Sequence, residues 1–219
     1  MLGRVAVNSN SSAKADEADV FWEPAESATA ELKIKRSLFI GHLDLCKSES
    51  DVRALLERVE ARHRSAAHNC WAYRLGDPET EYCSDDGEPS GTAGKPILYA
   101  IRQSGMVNLM VVVTRYFGGV KLGVRGLIEA YGQTAGNVAV KVRRVLRMRS
   151  KKLTISLPYG VIGDVARLLE AHGTTLAPTW ECGAKAEVCA EIRLSSTPQV
   201  ASALQELQAR GLIFSWNWL

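Results

Sequence analysis

The sequence predicts an α+β protein of two domains, and three observations carry that prediction. Strand-like and helix-like segments alternate along the chain, with neither period dominating. From about residue 148 the order of elements becomes βαββαβ, the order of a ferredoxin-like domain. Where that order begins lies the densest run of like charge: Lys141, Arg143, Arg144, Arg147, Arg149, Lys151 and Lys152. A length of 219 residues accommodates two small domains, and a hydrophobic share of 46% is enough for a core in each, which excludes a disordered regulator.

Residues 1–27 are rich in Ser, Ala, Asp and Glu without a sustained period, and read as a mobile extension in which Trp22 can pack back. Thr29 to Ile40 alternates at Leu32 and Ile34 and then runs through Leu38, Phe39 and Ile40, predicting two short strands or one bent one. Val52, Leu55, Leu56 and Val59 follow an i, i+3, i+4, i+7 spacing, which predicts an amphipathic helix capped by Ser50. His68 to Leu75 is a predicted strand. Thr92 to about Gln103 is a predicted helix, with Pro96 early enough to be tolerated.

Leu109 to Val113 is an unbroken apolar run, the mark of a buried strand. Leu127, Ile128, Tyr131, Ala135, Val138 and Val142 form a stripe that predicts a long helix from Arg125 or Gly126 to about Val145. In the second domain, Lys152–Tyr159, Thr174–Trp180, Ala186–Leu194 and Gly211–Leu219 are strands. The two helices there are Val161–Gly173, closed by Gly173, and Thr197–Gly211, capped by Thr197 with Pro198 in its first turn.

A net charge of +3 is too small to mark a free-standing nucleic-acid binder, so the placement of charge matters more than its total. Five cysteines, odd in number and without a CxxC pair, predict reduced thiols, a cytoplasmic protein and no structural zinc. After MLGRVAV the chain turns at once to SNSSAKADEAD, which is no signal-peptide core, and no run approaches the ~18 apolar residues of a membrane helix. No cofactor, metal or membrane partner is expected.

Two segments concentrate the unusual chemistry. In SDDGEPSGTAGKPIL, Asp85, Asp86 and Glu88 sit among Gly87, Pro89, Gly91 and Gly94, a composition for a tight loop. The three carboxylates suit a divalent cation, but no second acidic cluster completes a ligand set, and loop aspartates commonly cap helices. GTAGKP is not a phosphate loop, because Pro89 and Pro96 stand where GxxxxGK[ST] needs glycine and a hydroxyl. His68, Cys70 and Cys83 form no nucleophile set, since nothing orients the histidine; a packed histidine and an inert cysteine are the better reading.

The second segment, VVVTRYFGGVKLGVRG, runs strand, glycine loop, helix. Arg115, Tyr116, Lys121 and Arg125 around Gly118, Gly119 and Gly123 suit an anion or a stacked base. Equally, Arg115 is suited to an ion pair with Asp85, Asp86 or Glu88, joining the two segments in one structural network. The run from Lys141 to Lys152 suits RNA phosphates or the solvated end of a long helix.

Four ordered blocks, Glu31–Ile40, His68–Gly76, Ser84–Leu98 and Val111–Gly132, resemble the signature of the IMPACT family, whose bacterial members are called YigZ-like. The resemblance implies an N-terminal domain over residues 28–147, with the α/β fold of a small-subunit ribosomal protein's second domain. It also implies a ferredoxin-like domain over residues 148–219. Eukaryotic relatives regulate translation by competing for the activator of a starvation-responsive initiation-factor kinase. The chain departs from the family pattern at Arg125, where relatives carry glycine, and at Glu129, where they carry a basic residue.

The function expected is therefore that of a non-enzymatic translation-associated regulator binding the ribosome, structured RNA or a translation factor. The alternative is an enzyme acting on a small phosphorylated or peptide-like substrate between the two segments, with an acidic-loop carboxylate as base. A third reading is a decoy that binds another protein.

Overall fold

The continuously apolar strand of the sequence becomes β6 (Leu109–Tyr116), and it is the middle of a five-stranded sheet. The computed structural model describes residues 19–76, 79–172, 174, 179–182 and 185–219. They divide into two units: Trp22–Leu146, and Arg147–Leu219 together with the residues up to Phe21.

In the first unit the sheet order is β2 (Ala28–Ile34), β3 (Ser37–Leu45), β6, β4 (His68–Gly76), β5 (Glu79–Ser84), every neighbouring pair antiparallel. Helix α1 (Glu49–Arg62) covers one face; α2 (Gly94–Ser104) and α3 (Gly123–Lys141) cover the other. Successive residues of β6 therefore enter different cores. Leu109, Val111 and Val113 pack with Ile97, Ile101, Tyr131 and Val138, whereas Met110 and Val112 pack with Val52, Leu55 and Val59. Burial on both faces is why this strand lacks polar alternation. At Gly41 α3 lies close on the sheet, since a Cβ there would lie 3.2 Å from Thr134 and 3.3 Å from Val138.

The second unit carries β8 (Ser150–Leu157), α4 (Ile162–Ala171), β9 (Thr179–Cys182), β10 (Ala186–Arg193), α5 (Thr197–Ala209) and β11 (Ser215–Trp218). Its sheet order β11-β8-β10-β9, antiparallel throughout, is the ferredoxin-like arrangement. Leu153, Ile155, Leu157, Val188, Ile192, Val165 and Val200 form its core. The expected strand Thr174–Trp180 and the closing Gly173 lie mostly outside the described residues.

Several expectations need correction. The segment read as an extension contains a strand, β1 (Val20–Pro24), which pairs with β7 (Arg144–Met148). Just before it Asp19 is buried, accepting hydrogen bonds from the backbone N–H and hydroxyl of Ser195 at 3.0 and 2.5 Å. Helix α1 is capped by Ser48 instead of Ser50, because Ser48 and Asp51 together build a capping box. The cap of α5 is Ser196, with Thr197 already helical.

The long helix ends at Lys141, not near Val145. Val142 is extended and buried, and the chain continues into β7. The basic run is consequently no helix end: Lys141 closes α3, Arg144 and Arg147 lie on β7, and Lys151 and Lys152 lie on β8, pointing to opposite sides of that strand.

Candidate functional site

The acidic loop joins β5 to α2, and its three carboxylates are spent separately. Asp85 accepts from the backbone N–H groups of Gly91, Ala93 and Gly94 at 2.8, 2.9 and 2.8 Å, supplying the N-terminal cap that α2 otherwise lacks. Burial pushes its carboxyl up, but those N–H groups outweigh burial and hold it below the usual carboxylate range. Asp86, in the left-handed region with φ 42°, accepts from Asn69 N–H at 2.6 Å.

Glu88 turns inward. Its Oε1 accepts from Arg115 Nη1 at 2.5 Å and from the Tyr131 hydroxyl at 2.8 Å, and His68 Nε2 lies 3.9 Å away. The side chains of Arg115 and Glu88 are 7% and 3% exposed, so the pair is withdrawn from solvent. The Arg115 guanidinium also sits 5.6 and 5.4 Å from the ring centres of Phe39 and Phe117, while its Nε is buried without an acceptor among the described residues. Of the partners foreseen for Arg115, Glu88 is the one found, and the acidic and glycine-rich segments form one network.

Cys70 and His68 share this neighbourhood without forming a nucleophile pair. Cys70 is fully buried, its Sγ donates to the Asp85 carbonyl at 3.0 Å, and burial first, with the nearby carboxylates, pushes its thiol up to about 12. His68 Nδ1 is 2.7 Å from the Asp86 carbonyl. Burial, then Cys70 and Glu88, raise the Tyr131 phenol above its usual range.

The glycine-rich residues do not gather into one binding cluster. Arg115 points toward α3, whereas Tyr116 points to the α1 face, its hydroxyl 2.9 Å from His63 Nδ1. His63 is in turn 4.9 Å, ring to ring, from buried His42. Burial, then His63 when it is protonated and the guanidiniums of Arg62 and Arg58, lower His42 to about 4.

Gly118 is pressed onto the β2–β3 turn: a Cβ there would lie 1.8 Å from the Arg36 carbonyl oxygen. Gly119 and Gly123 are left-handed, with φ of 82° and 76°. Phe117, Val120 and Lys121 are exposed, and no side chain caps α3. Arg125 pairs with Glu129 at 2.9 Å, so the two departures from the family pattern answer each other on the surface of α3.

The basic residues are dispersed. Lys141 Nζ donates to the Thr29 carbonyl at 3.3 Å, Arg144 lies over Trp22 and Arg149 over Phe21. Tyr131, His42 and His63 are the site residues that the sequence reading missed. A tyrosine on the buried stripe of a helix was the available signal, because its hydroxyl needs a partner.

Fold and network together define a protein with an IMPACT-type N-terminal domain followed by a ferredoxin-like one, and the chain belongs to the IMPACT family. The Impact N-terminal domain matches residues 35–139. The IMPACT family member YvyE of Bacillus subtilis is 38% identical over 146 residues, covering 66% of this chain and 67% of the relative. YigZ of Escherichia coli, another family member, is 40% identical over 134 residues, 60% of this chain and 64% of its own. A crystal structure of a hypothetical protein superposes with a TM-score of 0.63 at 28% identity, spanning 92% of this chain and 97% of that one.

Proposed function

We propose that the protein is a cytoplasmic, non-enzymatic binding protein of the translation apparatus, and that the loop between β6 and α3 is its contact with ribosomal or structured RNA. One observation carries this reading: the loop is exposed while both its ends are fixed. Arg115 is held by Glu88 at one end, and Gly118 is seated on the Arg36 backbone. Between them and the helix, Phe117 offers an aromatic face, Lys121 a cation, and the first turn of α3 its uncapped N–H groups. That combination suits a phosphate with a neighbouring base. Membership in the IMPACT family supports the link to translation.

The enzymatic alternative loses its base, because Asp85, Asp86 and Glu88 are each engaged by backbone or buried partners. The reading also moves the binding role from Arg115 to the loop beyond it, with the exposed Lys151 and Lys152 as a separate contribution from the second unit.

Co-sedimentation with ribosomes and separated subunits at low and moderate salt tests this. Salt-sensitive binding by the wild type, lost in a Phe117→Ala/Lys121→Glu variant of unchanged melting temperature, is the expected result. Absence of sedimentation at every salt concentration would remove RNA as the partner.

A further inference from the structure

Three connections meet at one end of the five-stranded sheet: the turn from β2 to β3, the segment from α1 to β4, and the loop from β6 to α3. Contacts tie them together. Gly118 N–H donates to the Ser37 hydroxyl at 3.3 Å, and the same glycine is pressed against the Arg36 carbonyl. Ala67 N–H donates to the Arg115 carbonyl at 2.8 Å, and His63 Nδ1 lies 2.9 Å from the Tyr116 hydroxyl. The end of β6 therefore has the β2–β3 turn on one side and the α1–β4 segment on the other.

Each connection carries exposed cations: Lys35 and Arg36 in the turn, Arg62 and Arg64 at and beyond the end of α1, and Lys121 in the loop. None of these has an ion pair among the described residues, although Glu31 and Glu60 stand near them in sequence. Away from this end, the cations on and beside α1 are answered: Arg53 by Glu49, Arg58 by Asp44 and Lys47 by Glu23. Helix α1 thus changes character along its length, with its cations paired along its body and left unpaired where it meets the sheet end. The helix dipole favours Arg62 at a C-terminus, but it does not account for Arg64 beyond the helix or for the two cations of the turn.

Lys35 is also placed at a conformational cost. Its φ of 53° is in the left-handed region, where glycine or asparagine ordinarily stands. The turn consists of Lys35 and Arg36 alone, between the paired residues Ile34 and Ser37, so both of its positions are long cations. Asparagine would make the same turn with less strain and leave the pairing of β2 with β3 as it is. What lysine adds there is a charge, on a turn held in place by the packing of Gly118 against Arg36.

We propose that an RNA backbone crosses this end of the sheet, its phosphates held by Lys35 and Arg36 on one side of β6 and by Arg62 and Arg64 on the other. The inference rests on the reading of the β6–α3 loop as an RNA contact and widens that contact into a track. Unpaired like charges gathered on one end repel one another in the free protein, and a polyanion relieves that repulsion. Phe117, exposed in the loop, favours RNA over an acidic protein surface, because a base can stack on it while the neighbouring phosphates meet the cations. Four of the contacts are to phosphate, so the track positions the strand and tolerates changes of sequence.

Filter binding of the full chain to purified ribosomal RNA and to poly(U), from low to moderate salt, is the test. The variants are Lys35→Asn/Arg36→Gln and Arg62→Gln/Arg64→Gln, with Arg53→Gln as the paired cation outside the track. Each double variant should bind both RNAs more weakly and lower the slope of log K against log salt by about 2, whereas Arg53→Gln should bind as the wild type does. Lys35→Asn alone should weaken binding while melting no lower than the wild type, because asparagine accommodates the left-handed turn; Lys35→Arg should keep the binding. Wild-type affinity and slope in both double variants, with binding still lost in Phe117→Ala/Lys121→Glu, overturns the track and leaves the loop reading standing. A loss in Arg53→Gln equal to that of the double variants overturns the track as well, since the binding then follows total charge. A wild type that binds neither RNA at any salt overturns the track and the loop reading together.

Discussion

Arg115 and Tyr116 are neighbours on one strand, yet they enter two polar environments built on opposite terms. On the α3 face a full charge is buried and answered at once: Arg115 meets Glu88, and Glu88 also takes the Tyr131 hydroxyl. On the α1 face the group beside Tyr116 is a pair of imidazoles with no carboxylate hydrogen-bonded to it among the described residues. His42 and His63 sit ring to ring, both Nε2 atoms buried without a hydrogen-bond partner among the described residues, and both imidazoles are held neutral, with burial as the largest cause. The first arrangement is intolerant of losing a member. The second tolerates truncation but not protonation.

The largest expected effect breaks the first environment. Arg115→Met leaves Glu88 charged in the core, and should lower the stability of the Trp22–Leu146 unit by about 3–5 kcal/mol in urea unfolding. Adding Glu88→Leu should recover a substantial part of that loss, because the uncompensated charge goes with it. If the double variant is instead the sum of its singles, the pair is not coupled in the way its geometry requires.

Next comes acid. The folded-state pKa of His42, about 4, lies below its unfolded value near 6.5, and His63 is shifted in the same direction. Between those values the unfolded chain binds more protons. Stability is therefore complete above about pH 6.5 and is lost as pH falls toward 4, by up to about 3 kcal/mol from His42. Urea midpoints measured across that window should show the slope in the wild type and a much flatter profile in His42→Leu. Equal slopes in both would place the acid sensitivity elsewhere.

The smallest effect sharpens the comparison through two tyrosines. Tyr131→Phe removes a buried bond to a charged carboxylate and should cost about 2 kcal/mol. Tyr116→Phe removes a half-buried bond to a neutral imidazole and should cost about 1 kcal/mol. Thermal melting of the two variants side by side checks the order.

Much of the fold was legible because it rests on local patterns. Leu109 to Val113 announced a strand buried on both faces, and the βαββαβ order of the second unit could be read from spacing alone. β5 went unread because it is an edge strand whose exposed Glu79 and polar residues carry no apolar signal. The end of α3 was misplaced because Val138, Val142 and Val145 keep a helical spacing across a point where the chain becomes extended; pairing with β1 decides it, and that is not local.

At the site, the joining of the acidic and glycine-rich segments was among the alternatives, and Glu88 was among the partners named. Grouping Arg115 with Tyr116 was the avoidable error, since side chains alternate along a strand. His42 and His63 are 21 positions apart, and only the packing of α1 on β3 brings them together.

The partners of Glu88 lie 27 and 43 residues further along the chain. A ribosome making this protein delivers the acidic loop well before it delivers Tyr131, so the carboxylate emerges first and waits in water. Folding of the first unit cannot be completed piecemeal as its strands appear. A nascent chain stopped before β6 leaves the Glu88 carboxylate without its guanidinium, and one stopped before α3 has Arg115 but lacks both the Tyr131 hydroxyl and the helix that closes over the pair.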